Sequence, residues 1–398
     1  MVVESKILPQ EQHGFRPGRN TETALATLLS AADQAKRNNK KAALVTFDFS
    51  SAFDTIDSRT LERRMEPWAT KEAISLLINY LSDGTQEVNW NGTRSLTREV
   101  KYGVRQGSIL GPLLFTIITA TLPTAVLSEN QTLCAYADDT SALVCGDSWE
   151  EVKEKVTGLR RELQTFSVNS YLQLNEDKTQ VMPIGRGCPQ VFPDAPGSVT
   201  LLGLTIDSSL RFCSSHKEVI ALVKARIGVI WRLQAHLPRG QLLRQIADAL
   251  VVSRISYAAW LTVEACLPGK EPRSTPHPFQ SLLNGLARAL LGVRLSDRLR
   301  SSDLLDRSGL PSLNQLVIRA AAMAAWKACR GGPLSHLLLS HSARSRGASN
   351  NLRSAADNSI CARNMALCWN ACEDLRRANT HHSAKVAARK LGETYRRL

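Results

Sequence analysis

The chain contains 398 residues, of which 43% are hydrophobic, which excludes a disordered protein and allows two or three domains with packed cores. Its 50 Lys and Arg exceed its 36 Asp and Glu by 14, which favours a polyanionic partner. Nine scattered cysteines, an odd number, exclude a disulfide framework or a disulfide-linked partner and indicate a reducing, intracellular compartment.

Charged and apolar residues are unevenly distributed along the chain. Residues 1–210 contain 21 Lys or Arg and 25 Asp or Glu, whereas residues 211–398 contain 29 and 11. Carboxylates suited to metal ions therefore concentrate in the first half, and charge that attracts phosphate concentrates in the second. The longest apolar stretch, residues 109–120, is broken by proline and is too short to span a bilayer, so no membrane partner is expected.

A turn-rich segment at residues 13–23 precedes the first predicted helix. Asn20 or Thr21 is suited to cap a helix over residues 24–36. Arg16 and Arg19 lie on this Gly- and Pro-containing segment, where guanidinium groups can bind phosphate. Taken alone, they would equally well be solvated loop charges.

Two predicted β structures carry carboxylates at their ends. The apolar run at residues 43–47 predicts a buried strand that ends at Asp48. Apolar runs on both sides of Asp138 and Asp139 predict a hairpin with these acids at its turn. Adjacent carboxylates repel each other, so their position at a half-buried corner indicates a cation, for which Asp48 would supply a third oxygen ligand. Taken alone, Asp48 would be a strand-end cap or a salt-bridge partner.

Helix and strand patterns alternate between these acids, which indicates an α+β domain. The predicted elements are one or two helices around Pro67 at residues 61–81, a hairpin at residues 86–104 with Asn91-Gly92 at its turn, and a helix that opens at Gly111-Pro112.

The chain becomes more helical after the acidic hairpin. The predicted elements are a helix at residues 149–171, a turn and strand at 172–182, a loop at 185–197 and a β segment at 199–207. Helices are then predicted at residues 216–237 and 240–260, and from 279 to the end after a Pro-rich break at 267–278. The helix from His216 has a predicted buried stripe of Val219, Leu222, Val223, Ile230 and Leu233. It also carries Lys217, Lys224, Arg226 and Arg232, and such a basic face is most often simply solvated.

Three motifs occur in a fixed order. They are Phe47-Asp48-Phe49-Ser50-Ser51-Ala52-Phe53-Asp54-Thr55-Ile56, Arg105-Gln106-Gly107-Ser108-Ile109-Leu110-Gly111-Pro112 and Tyr136-Ala137-Asp138-Asp139. Together they resemble the palm motifs of reverse transcriptases, most closely those of non-LTR retrotransposons of the LINE-like, jockey type. A tetrapeptide alone recurs by chance, whereas three ordered motifs are specific. The resemblance covers about residues 10–260.

The resemblance implies a metal-dependent site. Asp48 and Asp138 would bridge two divalent ions, Asp139 would be an auxiliary ligand, and the Phe49 carbonyl would be a backbone ligand. Mg²⁺ is the expected ion and Mn²⁺ the alternative. Lys178 matches a lysine that would protonate or hold the leaving pyrophosphate, although an exposed loop lysine would look the same.

The resemblance also implies contacts with the nucleotide and with the nucleic acid. Phe53 matches a ring that excludes a ribose 2′-hydroxyl, although an ordinary core phenylalanine fits the same pattern. Gln106 and Gly107 match a loop that touches the template and the base, while Arg105 stands where the family more often has proline. The remaining assignments are Arg16 and Arg19 on nucleotide phosphates, Leu202 and Gly203 in a primer grip, and Lys217, Lys224, Arg226 and Arg232 along the nucleic acid.

The expected fold is an α+β right-hand polymerase palm with partial fingers, followed by an all-α thumb and an α-helical C-terminal region. The expected domains are fingers and palm at residues 1–207, a helical thumb at 208–266, a Pro-rich linker at 267–278 and a basic helical region at 279–398. The family's upstream fingers hairpin and its endonuclease have no counterpart here. We therefore expect an N-terminally shortened protein whose endonuclease comes from elsewhere.

Cys361, Cys368 and Cys372, followed by His381 and His382, suggest either zinc binding or packing. The cysteine spacing places the three thiols on one helical face, and no fourth ligand follows at a fitting distance, so packing is favoured.

Two functions of different class follow from the motifs. The first is an RNA-directed DNA polymerase that uses an RNA template, a DNA primer and dNTPs, in the nucleus by resemblance or in the cytoplasm. The second is an inactive remnant that only binds nucleic acid. An RNA-dependent RNA polymerase, which shares the palm, is a third reading. Intact Asp48, Asp138 and Asp139 favour the first.

Overall fold

The computed structural model describes residues 7–50, 52–82, 84–105, 107–129, 131–185, 191–265, 277–340, 352–354 and 359–395. Gln106, part of the loop predicted at 185–197 and residues 267–276 of the Pro-rich break lie outside these ranges. The chain forms two compact units, Met1–Gly197 and Ser198–Leu398.

The first unit combines helices with short and long strands. Its strands are β1 (Lys41–Phe47), β2 (Phe49–Ser50), β3 (Gly84–Gln86), β4 (Asn89–Trp90), β5 (Thr93–Arg94), β6 (Arg98–Val100), β7 (Gln131–Tyr136), β8 (Asp139–Gly146), β9 (Gln173–Leu174) and β10 (Gln180–Ile184). Its helices are α1 (Thr21–Arg37), α2 (Ser58–Met65), α3 (Lys71–Ser82), α4 (Gly111–Ile118), α5 (Leu122–Val126) and α6 (Trp149–Asn169). The elements predicted for this half of the chain are confirmed, including the Asn20 cap of α1.

A four-stranded antiparallel sheet in the order β10-β1-β8-β7 forms the centre of this unit. Ala43, Val45 and Phe47 on β1 join a core cluster that includes side chains of α4 and α6. The alternate residues Ala42 and Leu44 are also buried, and α1 packs against β1 as well. Burial of both faces explains why β1 reads as a continuous apolar run.

A glycine fastens the loop after β1 to the segment before α4. Gly103 N donates to the Ile56 carbonyl at 2.8 Å, and Val104 N donates to the Phe53 carbonyl at 2.9 Å. Gly103 has φ 90°, and a Cβ there would lie 2.8 Å from the Asp54 carbonyl oxygen. Only glycine allows this close approach, which brings Phe53 beside the loop that begins at Arg105.

The second unit is mainly helical. Its strands and helices are β11 (Ser198–Leu201), β12 (Leu204–Asp207), α7 (Cys213–Leu233), α8 (Gln241–Ala247), α9 (Ser253–Ser256), α10 (Ala259–Thr262), α11 (Pro278–Leu291), α12 (Ser301–Ser308), α13 (Leu313–Ala328), β13 (Leu338–Ser340), β14 (Leu352–Ser354), α14 (Ile360–Ala371), α15 (Glu373–Arg377) and α16 (His381–Thr394). The α+β class and the predominance of helix after residue 207 are confirmed.

Two details of this unit differ from the expectation. One helix was expected over residues 240–260, but the structure has α8, a π-helical stretch at Asp248–Val252 and α9, then a break at Ala258 with φ 55° before α10. The ladder β13–β14 was not predicted, because its three-residue strands are too short to show a period.

Within the described residues, no helix is both long enough and apolar enough to cross a bilayer.

Candidate active site

Asp138 lies in the tight turn of the β7–β8 hairpin, and Asp139 closes it. Tyr136 and Asp139 form the last strand pair, so Ala137 and Asp138 are the two turn residues. Ala137 adopts φ 57°, as tight hairpin turns require. The predicted hairpin with the acid pair at its turn is confirmed.

The register of the sheet brings Asp48 to the same corner. Phe47 on β1 is opposite Thr140 on β8, and Asp48 and Asp139 come next along both strands. On the other side of β1, Thr46 is opposite Gln180 of β10. Two residues further along this register, Asp48 meets Lys178. Asp48 therefore lies between Asp139 at the start of β8 and Lys178 in the turn before β10.

Lys178 forms an ion pair with Asp48. Its Nζ lies 3.0 Å from Asp48 Oδ2, and the two side chains are 66% and 28% exposed. Asn175 N donates to the Asp48 carbonyl at 2.8 Å, and the Asn175 side chain accepts from Lys178 N at 3.3 Å. The turn that carries Lys178 is therefore fixed to the backbone of Asp48. Phe49, the predicted backbone ligand, pairs with Leu174 in the β2–β9 ladder and is buried.

Two neighbouring carboxylates act electrostatically on Asp139. Partial burial raises the pKa of the Asp139 carboxyl, and the nearby Asp138 and Asp48 carboxylates raise it further. Like charges that raise a neighbour's pKa also create a site that attracts cations. In the described part of the chain, however, no three His, Cys, Asp or Glu side chains are arranged closely enough to hold a metal ion as they stand. The three carboxylates lie at the same corner of the sheet, and Asp48 forms an ion pair with Lys178.

Residues 11–14 support the acid turn from outside the sheet. His13 N donates to the Ala135 carbonyl at 2.7 Å, and Ala135 N donates to the Glu11 carbonyl at 2.9 Å. A Cβ at Gly14 would lie 2.5 Å from Ala137 N. Gly14 thus touches the turn that carries Asp138, a contact that the sequence analysis missed because nothing local links residue 14 to residue 137.

Arg16 and Arg19 bind to their own loop. Arg16 Nη1 donates to the Pro9 carbonyl, and Arg19 donates to the Gln10 carbonyl and to Gln10 Oε1, both at 2.5 Å. Burial lowers the pKa of Arg19 to about 10, and Arg16 adds to the effect. A phosphate would have to compete with these acceptors.

Phe53 and Gly107 are on the two segments that are joined at Gly103 and Val104. The Phe53 ring is partly buried, with its centroid 5.0 Å from that of Phe115. Gly107 has φ 79°, and a Cβ there would meet nothing within 4 Å. The Gly107 backbone therefore faces open space. The Phe53 ring packs against Phe115 of the core.

The predicted nucleic-acid residues of the second unit lie on a turn and a helix. Leu202 and Gly203 form the β11–β12 turn with φ 47° and 78°, and Tyr257 Oη donates to the Leu202 carbonyl. Lys217, Lys224 and Arg232 are exposed on α7. Arg226 is different, because its Nη1 donates to the Leu250 carbonyl at 2.7 Å.

The predicted buried stripe of α7 is partly wrong. Val223 and Ile230 are buried, but Leu222 is 37% exposed and Val219 and Leu233 are only partly buried. Ile227, which was not in the prediction, completes an i, i+4, i+7 face with Val223 and Ile230.

Cys361, Cys368 and Cys372 are all buried. Cys368 Sγ lies 3.7 Å from the Ile318 carbonyl oxygen, and Cys372 Sγ accepts from Leu375 N at the start of α15. Burial raises the pKa of Cys368 to about 12, and Cys372 adds to the effect. His381 and His382 are exposed at the start of α16. The thiols are packed as small apolar residues.

Comparison with known proteins adds independent findings. The family model for reverse transcriptase (RNA-dependent DNA polymerase) matches residues 1–206. A probable RNA-directed DNA polymerase from transposon BS of Drosophila melanogaster is 27% identical over 227 residues, covering 53% of this chain and 25% of the relative. The RNA-directed DNA polymerase of the mobile element jockey from the same species is 26% identical over 224 residues, covering 52% and 24%. The chain thus spans about a quarter of the length of these relatives. The resemblance to jockey-type reverse transcriptases is confirmed.

Among solved structures, a telomerase from Candida tropicalis with a fragment of telomeric RNA aligns with a TM-score of 0.41 and 16% identity. The alignment covers 80% of this chain and 52% of the telomerase.

The shifted pKa of Asp139 predicts that its charge opposes folding when no divalent ion is present. Because the folded-state pKa is raised, this cost is present above that pKa and disappears as pH falls towards the ordinary aspartate value of about 3.9. Asp139→Asn should therefore stabilise the β7–β8 hairpin in EDTA near neutral pH. We expect a gain of no more than about 1 kcal/mol, because solvent screens these partly exposed groups.

Hydrogen–deuterium exchange of the β7 and β8 amides measures this effect. Asp147→Asn is the matched control, because the Asp147 side chain is 83% exposed and outside the acid corner. Faster exchange in Asp139→Asn than in the unmodified protein would contradict the electrostatic account.

Proposed function

We propose, because this chain belongs to the reverse transcriptase family, that its first unit carries an RNA-directed DNA polymerase site. The site would add dNTPs to a primer 3′-hydroxyl on an RNA template. The observation that carries this proposal is the convergence of Asp48, Asp138 and Asp139 at one corner of the β10-β1-β8-β7 sheet. Carboxylates at such a corner could hold divalent cations. The cations would supply the positive charge that transfer of a nucleotidyl group requires next to the phosphates.

The residues at this corner suit divalent cations, which reverse transcriptases use. Hard carboxylate oxygens are the ligands that Mg²⁺ prefers, and Mn²⁺ accepts the same set. Asp48 and Asp138 would hold two ions, with Asp139 and the Phe49 carbonyl as further ligands. When bound, the ions lower the pKa of the primer hydroxyl and neutralise charge on the phosphate oxygens. To act as a ligand through Oδ2, Asp48 would have to leave Lys178, whose Nζ lies 3.0 Å from that oxygen.

Lys178 is suited to act on the leaving pyrophosphate. The turn anchored by Asn175 holds the ammonium group within 3.0 Å of a proposed ligand oxygen, and the side chain is 66% exposed. Once Asp48 turns away, Lys178 keeps three donors for phosphate oxygens. It would hold the pyrophosphate or transfer a proton to it.

Phe53 and the loop at Gln106 and Gly107 would form the nucleotide-binding side. The contact with Phe115 restrains the Phe53 ring, so the ring could exclude a 2′-hydroxyl by steric hindrance. The open space at Gly107 leaves room for a base to approach the backbone. Arg16 and Arg19 would contribute to phosphate binding only after exchanging their loop acceptors.

The second unit would bind the primer–template. We assign Lys217, Lys224, Arg226 and Arg232 on α7 to phosphate contacts, and the turn of Leu202 and Gly203 to the primer grip. The excess of basic residues after residue 210 supports this assignment. Seven free cysteines among the described residues fit a reducing compartment, either nucleus or cytoplasm.

A second candidate function is nucleic-acid binding without catalysis. In this case the Asp48–Lys178 ion pair would stay in place.

Primer extension separates these two functions. With an RNA template, a DNA primer, dNTPs and Mg²⁺, the unmodified chain should extend the primer. Asp138→Asn should lower the rate by about two orders of magnitude or more, because neutralising one ligand removes charge stabilisation of the transition state. Asp147→Asn, an equally conservative change at an exposed acid, should leave the rate unchanged. If the unmodified chain binds RNA in a salt-dependent manner but extends no primer, the binding-only function is correct.

Sugar selection tests the role of Phe53. Phe53→Val should raise the incorporation of rNTPs relative to dNTPs by about tenfold or more, because the smaller side chain leaves room for a 2′-hydroxyl. Phe53→Tyr keeps the ring and should preserve the preference for dNTPs. The measurement is single-nucleotide extension with each nucleotide in turn. A preference of the unmodified chain for rNTPs would indicate an RNA-synthesising enzyme. An unchanged ratio of rNTP to dNTP incorporation in Phe53→Val would indicate that Phe53 only packs in the core.

A further inference from the structure

The hairpin built from β3, β4, β5 and β6 stands apart from the core of the first unit. Every residue from Thr85 to Glu99 is exposed. Its pairing is short, with three residue pairs between β3 and β6 and two between β4 and β5. An isolated two-stranded hairpin is only marginally stable in water. The exposed surface of this hairpin is therefore available for a partner to bind.

Aromatic rings are exposed along this hairpin and at its base. Trp90, next to the Asn91-Gly92 turn, is 74% exposed, and Tyr102, which follows β6, is 61% exposed. Flat, exposed rings of this kind stack on unpaired bases of any sequence. Bases inside a duplex do not offer their faces in this way.

The charge of the segment complements a polyanion. Residues 84–105 contain four Lys or Arg and two Asp or Glu, whereas the rest of residues 1–210 contains 17 and 23. Arg94 pairs with Glu87 at 3.1 Å. Arg98, Lys101 and Arg105 are exposed and have no ion pair to another described residue. The segment is therefore basic, although the rest of residues 1–210 is acidic. Its positive charge matches the phosphates of a nucleic acid.

A cleft of about 460 Å³ opens at the base of the hairpin. Tyr80, Gln86, Tyr102 and Arg105 lie along its wall, together with Asp54. This volume is within the range of about 300–1,000 Å³ that is typical of small-molecule sites, so a nucleotide would fit. Asp54 and Arg105 are also next to Phe53 and the loop of Gly107, so the cleft adjoins the proposed nucleotide-binding side.

We propose that the 84–105 hairpin and the cleft at its base bind single-stranded nucleic acid, with bases stacked on Trp90 and Tyr102 and phosphates on Arg98, Lys101 and Arg105. If the proposed polymerase function holds, this strand is the part of the RNA template that has not yet been copied, and that identification rests on the proposed function. Arg105, at the wall of the cleft, then contacts a phosphate of the incoming template.

Photo-crosslinking with peptide mapping tests the binding directly. The probe is a single-stranded RNA 20-mer containing 5-iodouridine, used with the full chain at about 0.3 M salt, where purely ionic contacts of the basic second unit are weakened. Crosslinks should map to the peptides that contain Trp90 and Tyr102. The same RNA annealed to its complement should not crosslink there.

Affinity measurements by fluorescence anisotropy provide the matched comparison. Trp90→Ala should weaken binding of the single strand by about 5- to 150-fold, the range found when one stacked base loses its ring. Leu96→Ala is the control, because Leu96 is 87% exposed on the same hairpin and has no ring; it should change the affinity less than twofold. The double substitution Arg98→Gln and Lys101→Gln should reduce the dependence of log Kd on log salt by about one to two units.

Two results would overturn the inference. One is equal affinity of Trp90→Ala and Leu96→Ala for the single strand, with crosslinks only outside residues 84–105. The other is a concentration-dependent dimer of the full chain that both substitutions abolish, which would make the hairpin a contact between two copies. Failure of primer extension with crosslinks at Trp90 retained would contradict the polymerase and leave this inference standing.

Discussion

Electrostatic repulsion among three carboxylates is the constraint on which the site depends. Antiparallel pairing of β1 with β8 sets Asp48 beside Asp139, and the β7–β8 turn adds Asp138. Partial burial raises the pKa of the Asp139 carboxyl, and the charges of Asp138 and Asp48 raise it further. A bound cation would compensate like charges that are held this close together. Lys178 supplies one positive charge from the opposite side of β1.

The backbone around this corner is fixed by contacts that only glycine permits. Gly14 touches the turn next to Asp138, and Gly103 holds the loop of Phe53 against the segment before α4. Both contacts join segments that are distant in sequence, so the acid corner and the proposed nucleotide-binding side belong to one compact frame, the first unit. The exposed 84–105 hairpin extends from the same frame, which would let a single strand approach the site without disturbing it.

Much of the candidate site could be predicted from sequence because its signals are local. Asp48 ends an apolar strand, Asp138 and Asp139 lie between two apolar strands, and Asn91-Gly92 determines a hairpin turn by itself. The contacts that could not be predicted depend on distant residues. Arg16 and Arg19 looked free to bind phosphate, yet their loop folds back and provides carbonyl acceptors. The buried face of α7 includes Ile227 and excludes Leu222, because the elements that pack against the helix select which of its apolar residues are covered. The contact of Gly14 with Ala137 has no sequence signal.

The position of divalent ions tests the central claim most directly. Crystals of the full chain with Mn²⁺, a primer–template and a non-reactive nucleotide would be measured at the manganese absorption edge. The account predicts anomalous peaks at about 2.0–2.3 Å from carboxylate oxygens of Asp48 and Asp138, with Asp48 no longer paired with Lys178. Manganese bound elsewhere, with the Asp48–Lys178 pair intact and no peak at the β7–β8 turn, would contradict it.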